Sequence, residues 1–146
     1  MDDLDLKLIT ILQTNGRASN AYMARQVGVS EGTVRRRLGR LIGDGVIRVM
    51  AVPEPLKLGL GTMALIGLQV EPDKIEGVAN RIAAFSETQY VAVTTGVFDV
   101  FLWVALPSAD ELGSFLRNRV GAIPGVRRSE TFVNLEVKKR FPGSLA

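Results

Sequence analysis

Apolar residues recur at helical spacing through the first fifty positions and at strand spacing through much of the remainder. Leu4, Leu8, Ile11 and Leu12 fall at i, i+4, i+7 and i+8, which predicts an amphipathic helix ending at Asn15-Gly16. Ser19 is placed to cap a short second helix carrying Tyr22, Met23 and Val27. Gly28 is placed to end that helix, and Ser30 to cap a third with Val34, Leu38, Leu41 and Ile42 on one face. Asp44-Gly45 ends the third helix, and Val46 to Val52 reads as a strand, where a wing would lie. Pro53, Pro55, Gly59 and Gly61 then break the pattern and mark residues 53–61 as a linker.

From Thr62 the period changes. Met63 to Val70, Gln89 to Thr95, Val100 to Leu106 and Val126 to Val137 read as strands. One helix starts at Pro72-Asp73 and buries Ile75, Val78, Ala79, Ile82 and Ala83; another starts near Ser108 and buries Leu112, Phe115, Leu116 and Val120. The order is βαββαβ, a ferredoxin-like arrangement, so the fold class is α+β: a winged helix-turn-helix over 1–52 and a ferredoxin-like domain over 62–146. In such a fold the helices cover one face of the sheet. The first and third strands are nearly continuous in apolar residues, whereas a half-solvated strand alternates. A second copy of the chain is the economical cover for the open face, which predicts a homo-oligomer.

Charge sharpens the division. Residues 1–50 hold eight Lys/Arg and five Asp/Glu; the other 96 hold ten of each, so the whole net charge of +3 lies in the first third. Seven of those eight bases are arginine, whose planar fork suits phosphate and guanine. About 100° per residue centres the apolar stripe of the third helix on Leu38 and turns Arg36 and Arg40 outward, with Gly32, Thr33 and Gly39 beside them. Arg35 and Arg37 flank the stripe. A second helix with a basic outward face after a tight turn is the arrangement that enters the major groove of double-stranded DNA. On this reading Thr33 and Arg36 lie nearest the bases, Arg35 and Arg40 lie on phosphate, and Ser30 and Gly32 stand at the approach. Arg48 has two readings, a phosphate contact or a solvated strand residue. For Arg37, an ion pair inside the domain is the alternative to DNA contact.

Composition excludes several classes. With no cysteine and no histidine, there is no disulfide, no thiol nucleophile, no Ser-His-Asp triad and no Cys- or His-based metal site. Carboxylate or lysine chemistry survives that test, but the expectation is a protein that is not an enzyme and has no cofactor. The longest charge-free apolar stretch, Leu58 to Val70, is 13 residues with three glycines, short of the ~18 a membrane span needs. The acidic start is the wrong sign for a signal peptide, which makes the cytoplasm the expected location, with no membrane partner. Two other functions keep a place. One is a stand-alone small-molecule-binding ferredoxin-like protein with no DNA role. The other is an RNA-binding module stacking bases on Phe101 and Trp103, disfavoured because no basic residue lies between Arg81 and Arg117.

Several short runs, in this order and spacing, carry a resemblance. They are Gly16-Arg17-Ala18-Ser19-Asn20, Gly28-Val29-Ser30, Thr33-Val34-Arg35-Arg36-Arg37-Leu38, Gly45-Val46-Ile47, Gly96-Val97-Phe98-Asp99, Pro124-Gly125-Val126 and Ser129-Glu130-Thr131. The chain resembles the Lrp/AsnC (feast/famine) transcriptional regulators over almost its whole length. The resemblance implies a winged helix-turn-helix joined to a ligand-sensing βαββαβ domain, dimers that often assemble into octamers, and amino-acid effectors bound between dimers. The family's Gly-x-aromatic-Asp loop matches Gly96, Phe98 and Asp99, with Thr94 and Thr95 as further candidates for lining the pocket. Asp99 has two readings, a partner for an α-ammonium or the cap of a tight hairpin in which Gly96 takes a positive φ.

Overall fold

Asp2 caps the first helix from both directions, and the computed structural model, which describes residues 1–140, shows how much this turn organises. The Asp5 N–H donates to Asp2 Oδ1 at 3.0 Å, and the Asp2 N–H donates back to Asp5 Oδ2 at 3.1 Å, a capping box opening α1 (Asp3–Thr14). Ser19 caps α2 (Asn20–Val27) by accepting the Tyr22 N–H, and Gly28 ends it at φ 73. Ser30 caps α3 (Glu31–Gly43). The three helices bury Leu8, Met23, Ala24 and Val34 together, with Leu4, Ile11, Leu12 and Leu38 packed around them. Ile42, expected in the stripe of α3, is about half exposed instead.

The expected strand after α3 does not form. The Val46 and Ile47 amides donate to the Leu41 carbonyl and close the helix end, and from Ile47 to Glu54 the chain has no regular structure. A strand needs a hydrogen-bonding neighbour, and this run has none among the described residues. Val46, Val49, Met50 and Val52 are all at least half exposed. The segment expected as a linker contains a 3₁₀ turn, Pro55–Leu58, with Pro55 buried and Leu56 and Leu58 exposed.

The chain divides into two units, Met1–Val52 together with the described residues Lys139 and Arg140, and Pro53–Lys138, so the second unit ends earlier than the expected domain over 62–146; residues 141–146 lie outside the described residues. The second unit holds β1 (Thr62–Val70), α4 (Ile75–Ala83), β2 (Thr88–Val93), β3 (Val100–Leu106), α5 (Ala109–Ser114) and β4 (Val126–Val133). The sheet is antiparallel throughout, in the order β2-β3-β1-β4, which is the ferredoxin-like topology. A 3₁₀ turn at Pro72–Lys74 leads into α4, and a π-helical turn at Phe115–Val120 continues α5.

The alternation of strand side chains divides the apolar residues of β1 and β3 between the two faces. Ala64, Ile66, Leu68 and Val70 join Val100, Leu102, Val104 and Leu106 in a core closed by Val78 and Ile82 of α4, Leu112 of α5, and Phe115 and Val120 of the turn after it. The opposite face carries Leu65 beside Trp103 of β3 and Phe132 of β4, and Gly67 beside Phe101. Tyr90, Trp103 and Phe132 remain 58%, 42% and 45% exposed there. Strand β2 stops at Val93, earlier than expected, and the Thr94 N–H closes the hairpin by donating to the Asp99 carbonyl. Strand β4 stops at Val133 because its last rung, the Asn134 N–H to the Met63 carbonyl, reaches the start of β1.

Candidate functional site

In the N-terminal unit the candidate residues gather on α3. The Ser30 hydroxyl accepts the Thr33 N–H at 3.2 Å and shares a 3.0 Å hydrogen bond with the Thr33 hydroxyl, so both side chains are fixed at the helix start. Gly32 has only Ser30 Oγ near the position a Cβ would take, and Gly39 has nothing within 4 Å, so the helix backbone is open on this side. Arg35 and Arg36 are exposed and make no ion pair among the described residues. Arg48, also exposed, lies on the irregular segment and not on a wing strand.

Arg40 departs from expectation. Helical spacing turns it outward to phosphate, yet its Nη2 donates to Asp5 Oδ2 at 2.7 Å. Arg37 does form the intradomain pair, with Nη1 on Asp2 at 2.6 Å and on Asp5 at 3.2 Å. The Asp5 carboxylate is fully buried, and a buried carboxylate needs cationic partners. The long arginine side chains supply them by reaching from α3 across to α1. Sequence reasoning missed Asp2 and Asp5 as partners, although the acid pair spaced three apart at a helix start was a legible signal.

The Asp5 amide that Asp2 accepts, followed by the Arg37 guanidinium, holds the Asp2 carboxyl below its ordinary value of 3.8. A lowered carboxyl stabilises the fold above its unfolded-state pKa, and that contribution disappears as pH falls through the lowered value. The N-terminal unit should therefore lose helix signal in an acid titration below about pH 4. Asp2→Asn should make that acid limb shallower, as followed by circular dichroism. An unchanged acid limb would contradict the assignment.

In the second unit the loop between β2 and β3 gathers the other candidates. Gly96 takes φ 103, open to glycine and strained for other residues. The Thr94 hydroxyl donates to the Phe98 carbonyl at 3.0 Å, and Gln69 Nε2 donates to the Val97 carbonyl at 3.2 Å. The Asp99 N–H donates to the Leu68 carbonyl, and Asp99 Oδ2 accepts the Val70 N–H at 2.8 Å. Asp99 thus binds the hairpin to β1 where the β1–β4 register slips between Gln69 and Val70. Its other oxygen has no hydrogen bond among the described residues. Thr95 and Gly96 are exposed. The Phe98 ring lies over Gly67 and meets Phe101 and Phe132 edge-on, with centroids 5.4 Å and 6.5 Å away. Gly67 is a site residue that sequence reasoning missed: its partner in contact is 31 positions away, and no local pattern marks it.

Among the described residues no cluster of His, Cys, Asp and Glu is placed to hold a metal, and no helix is long and apolar enough to cross a membrane.

Comparison with known proteins assigns both units. Residues 1–42 match the AsnC-type helix-turn-helix domain, and residues 63–143 match the Lrp/AsnC ligand binding domain. An HTH-type transcriptional regulator of Pyrococcus furiosus is 37% identical over 140 residues, covering 95% of each chain. The HTH-type transcriptional regulator Ptr1 of Methanocaldococcus jannaschii is 36% identical over 121 residues, covering 82% of each. The solved structure of AsnC from E. coli superposes with a TM-score of 0.89 at 25% identity, covering 97% of each chain. A transcriptional regulator from Neisseria meningitidis, solved as a complex with L-Met, gives the same TM-score at 24% identity over 96% of this chain and 93% of that one. These relatives are regulators and not enzymes. The helix-turn-helix is therefore the working part of a DNA-binding regulator, not an appendage to a stand-alone ferredoxin-like protein. From its two matched domains and its full-length relatives, the chain belongs to the Lrp/AsnC family of helix-turn-helix transcriptional regulators.

Proposed function

We propose that this regulator reads its operator through α3, with Thr33 and Arg36 at base edges, Arg35 and Arg48 on phosphate, and Ser30 and Gly32 where the helix start meets the backbone. The observation that carries this reading is two exposed arginines with no ion pair among the described residues, Arg36 on the face of α3 opposite its buried stripe and Arg35 at the flank of that stripe, beside glycines that leave the backbone uncovered. Binding is steeply salt-dependent, because each phosphate neutralised releases counterions. Arg36→Ala should lower operator affinity about tenfold or more, the loss expected for a bidentate base contact worth roughly 1–3 kcal/mol, and should relax preference at one base pair. Unchanged affinity and preference in a gel-shift series would reject this orientation of the helix.

The second unit, on this reading, assembles copies through the aromatic sheet face and takes an amino-acid-like effector at Thr94, Thr95, Gly96, Phe98 and Asp99. The assembly is a homodimer that builds a higher oligomer such as an octamer, and it works in the cytoplasm. The uncommitted oxygen of Asp99 suits an α-ammonium, and exposed backbone at Gly96 suits a carboxylate. The L-Met complex of the Neisseria neighbour supports amino acids as the class to test. Asp99→Asn keeps an oxygen for the Val70 amide while removing the charge. It should preserve the melting temperature of the free protein and abolish the rise produced by the amino acid that stabilises the parent most in a screen of all twenty. An intact rise in the variant would remove Asp99 from the effector site.

A further inference from the structure

We propose that Asp5 is a charge-masking residue: it withdraws Arg40 and Arg37 from the DNA-facing side of α3, so that α3 offers DNA the charges of Arg35 and Arg36 alone. The inference rests on α3 being the helix that faces DNA.

Three donors converge on one buried carboxylate. Arg37 Nη1 lies 3.2 Å from Oδ1, while Arg40 Nη2 and the Asp2 N–H lie 2.7 Å and 3.1 Å from Oδ2. Arg37 is further tied to Asp2, and its side chain is only 23% exposed. Arg40 is the arginine that phosphate can reach, since its side chain is 50% exposed and it sits one turn after Arg36 on the same outward face. A phosphate that captured Arg40 would leave Asp2 and the buried Asp5 sharing Arg37 alone, one cation for two carboxylates, and this shortfall beside a buried charge opposes the exchange. Masking therefore persists on DNA.

The consequence lies in selectivity. Sequence-independent binding is almost wholly phosphate neutralisation, and its salt slope steepens by roughly 0.9 for each phosphate neutralised. Base readout does not depend on Arg37 or Arg40. Holding two of the four arginines of α3 on α1 lowers affinity for arbitrary DNA while leaving base contacts intact, which raises the ratio of specific to non-specific binding.

The test measures binding of the full chain to a mixed-sequence duplex by fluorescence anisotropy between 50 and 200 mM salt, with slopes taken per bound protomer. Arg35→Ala, which removes a phosphate contact, sets the scale and should flatten the slope by about 0.9. Arg40→Ala should leave the slope unchanged within about a third of that step. Asp5→Asn should steepen the slope by about 0.9, and adding Arg40→Ala to it should cancel the gain. Flattening by both Arg35→Ala and Arg40→Ala would show that Arg40 already serves phosphate, overturning the mask while keeping α3 on DNA. No response to either would remove α3 from the interface and the mask with it. A folded Asp5→Asn with the parent slope also overturns the proposal. If Asp5→Asn fails to fold by circular dichroism, Arg40→Ala alone decides: an unchanged slope supports the mask and a flattened one defeats it.

Discussion

Leu8→Ala should unfold the N-terminal unit and leave the sheet unit standing. Leu8 is fully buried where all three helices meet, against Met23, Ala24 and Val34. Truncating a buried leucine costs about 2–5 kcal/mol, counting both lost transfer energy and the cavity left behind. A single core in a unit of this size rarely supplies more than about 3–5 kcal/mol, so one substitution removes most of the margin. The core of the second unit contains no residue of the first, and its own helices and strands keep their packing. The variant should therefore lose operator binding and part of its helix signal at physiological temperature. It should keep any amino-acid-dependent rise in the remaining thermal transition. Operator affinity equal to the parent's at 37 °C would show that the three-helix core tolerates the cavity.

The same contrast between local and distant determinants explains what was legible in the sequence. The three helices were readable because their signals are local: Ser19, Gly28 and Ser30 stand within one turn of the ends they define, and the apolar period shows inside each helix. The βαββαβ order was readable because β3 is a run of seven residues bounded by Asp99 and Pro107. What the sequence left illegible depends on a distant partner. Val46 to Val52 has strand composition, but composition supplies no neighbouring strand. Arg40 has an outward helical position, yet a carboxylate 35 residues earlier captures it. For Asp99, both readings used the same residue, and the hydrogen bond from Val70 accounts for one oxygen while leaving the other for the effector proposal.

Gly67→Val should be the most damaging single change on the open sheet face. Gly67 sits centrally in β1, paired with Phe101 on one side and Glu130 on the other. A Cβ there would meet Phe98 Cγ at 2.6 Å and both Cδ atoms within 2.9 Å, and valine adds two further methyl groups. The ring cannot step aside cheaply, because Phe101 and Phe132 hold it edge-on. Its backbone is tied down as well, by the Thr94 hydroxyl. Overpacking of this kind costs about 3 kcal/mol, the upper end of the usual range, and acts on two functions together. It displaces the loop that carries Asp99, and it roughens the face through which copies are proposed to associate. The variant should melt lower, sediment at smaller mass and respond weakly to amino acids. A double-mutant cycle isolates the cause. Phe98→Ala alone opens a cavity and destabilises the sheet unit, but in the Gly67→Val background it removes the clash. The double variant should therefore be more stable than the sum of the two single losses predicts. Strict additivity would mean that valine at position 67 is accommodated without touching the Phe98 ring.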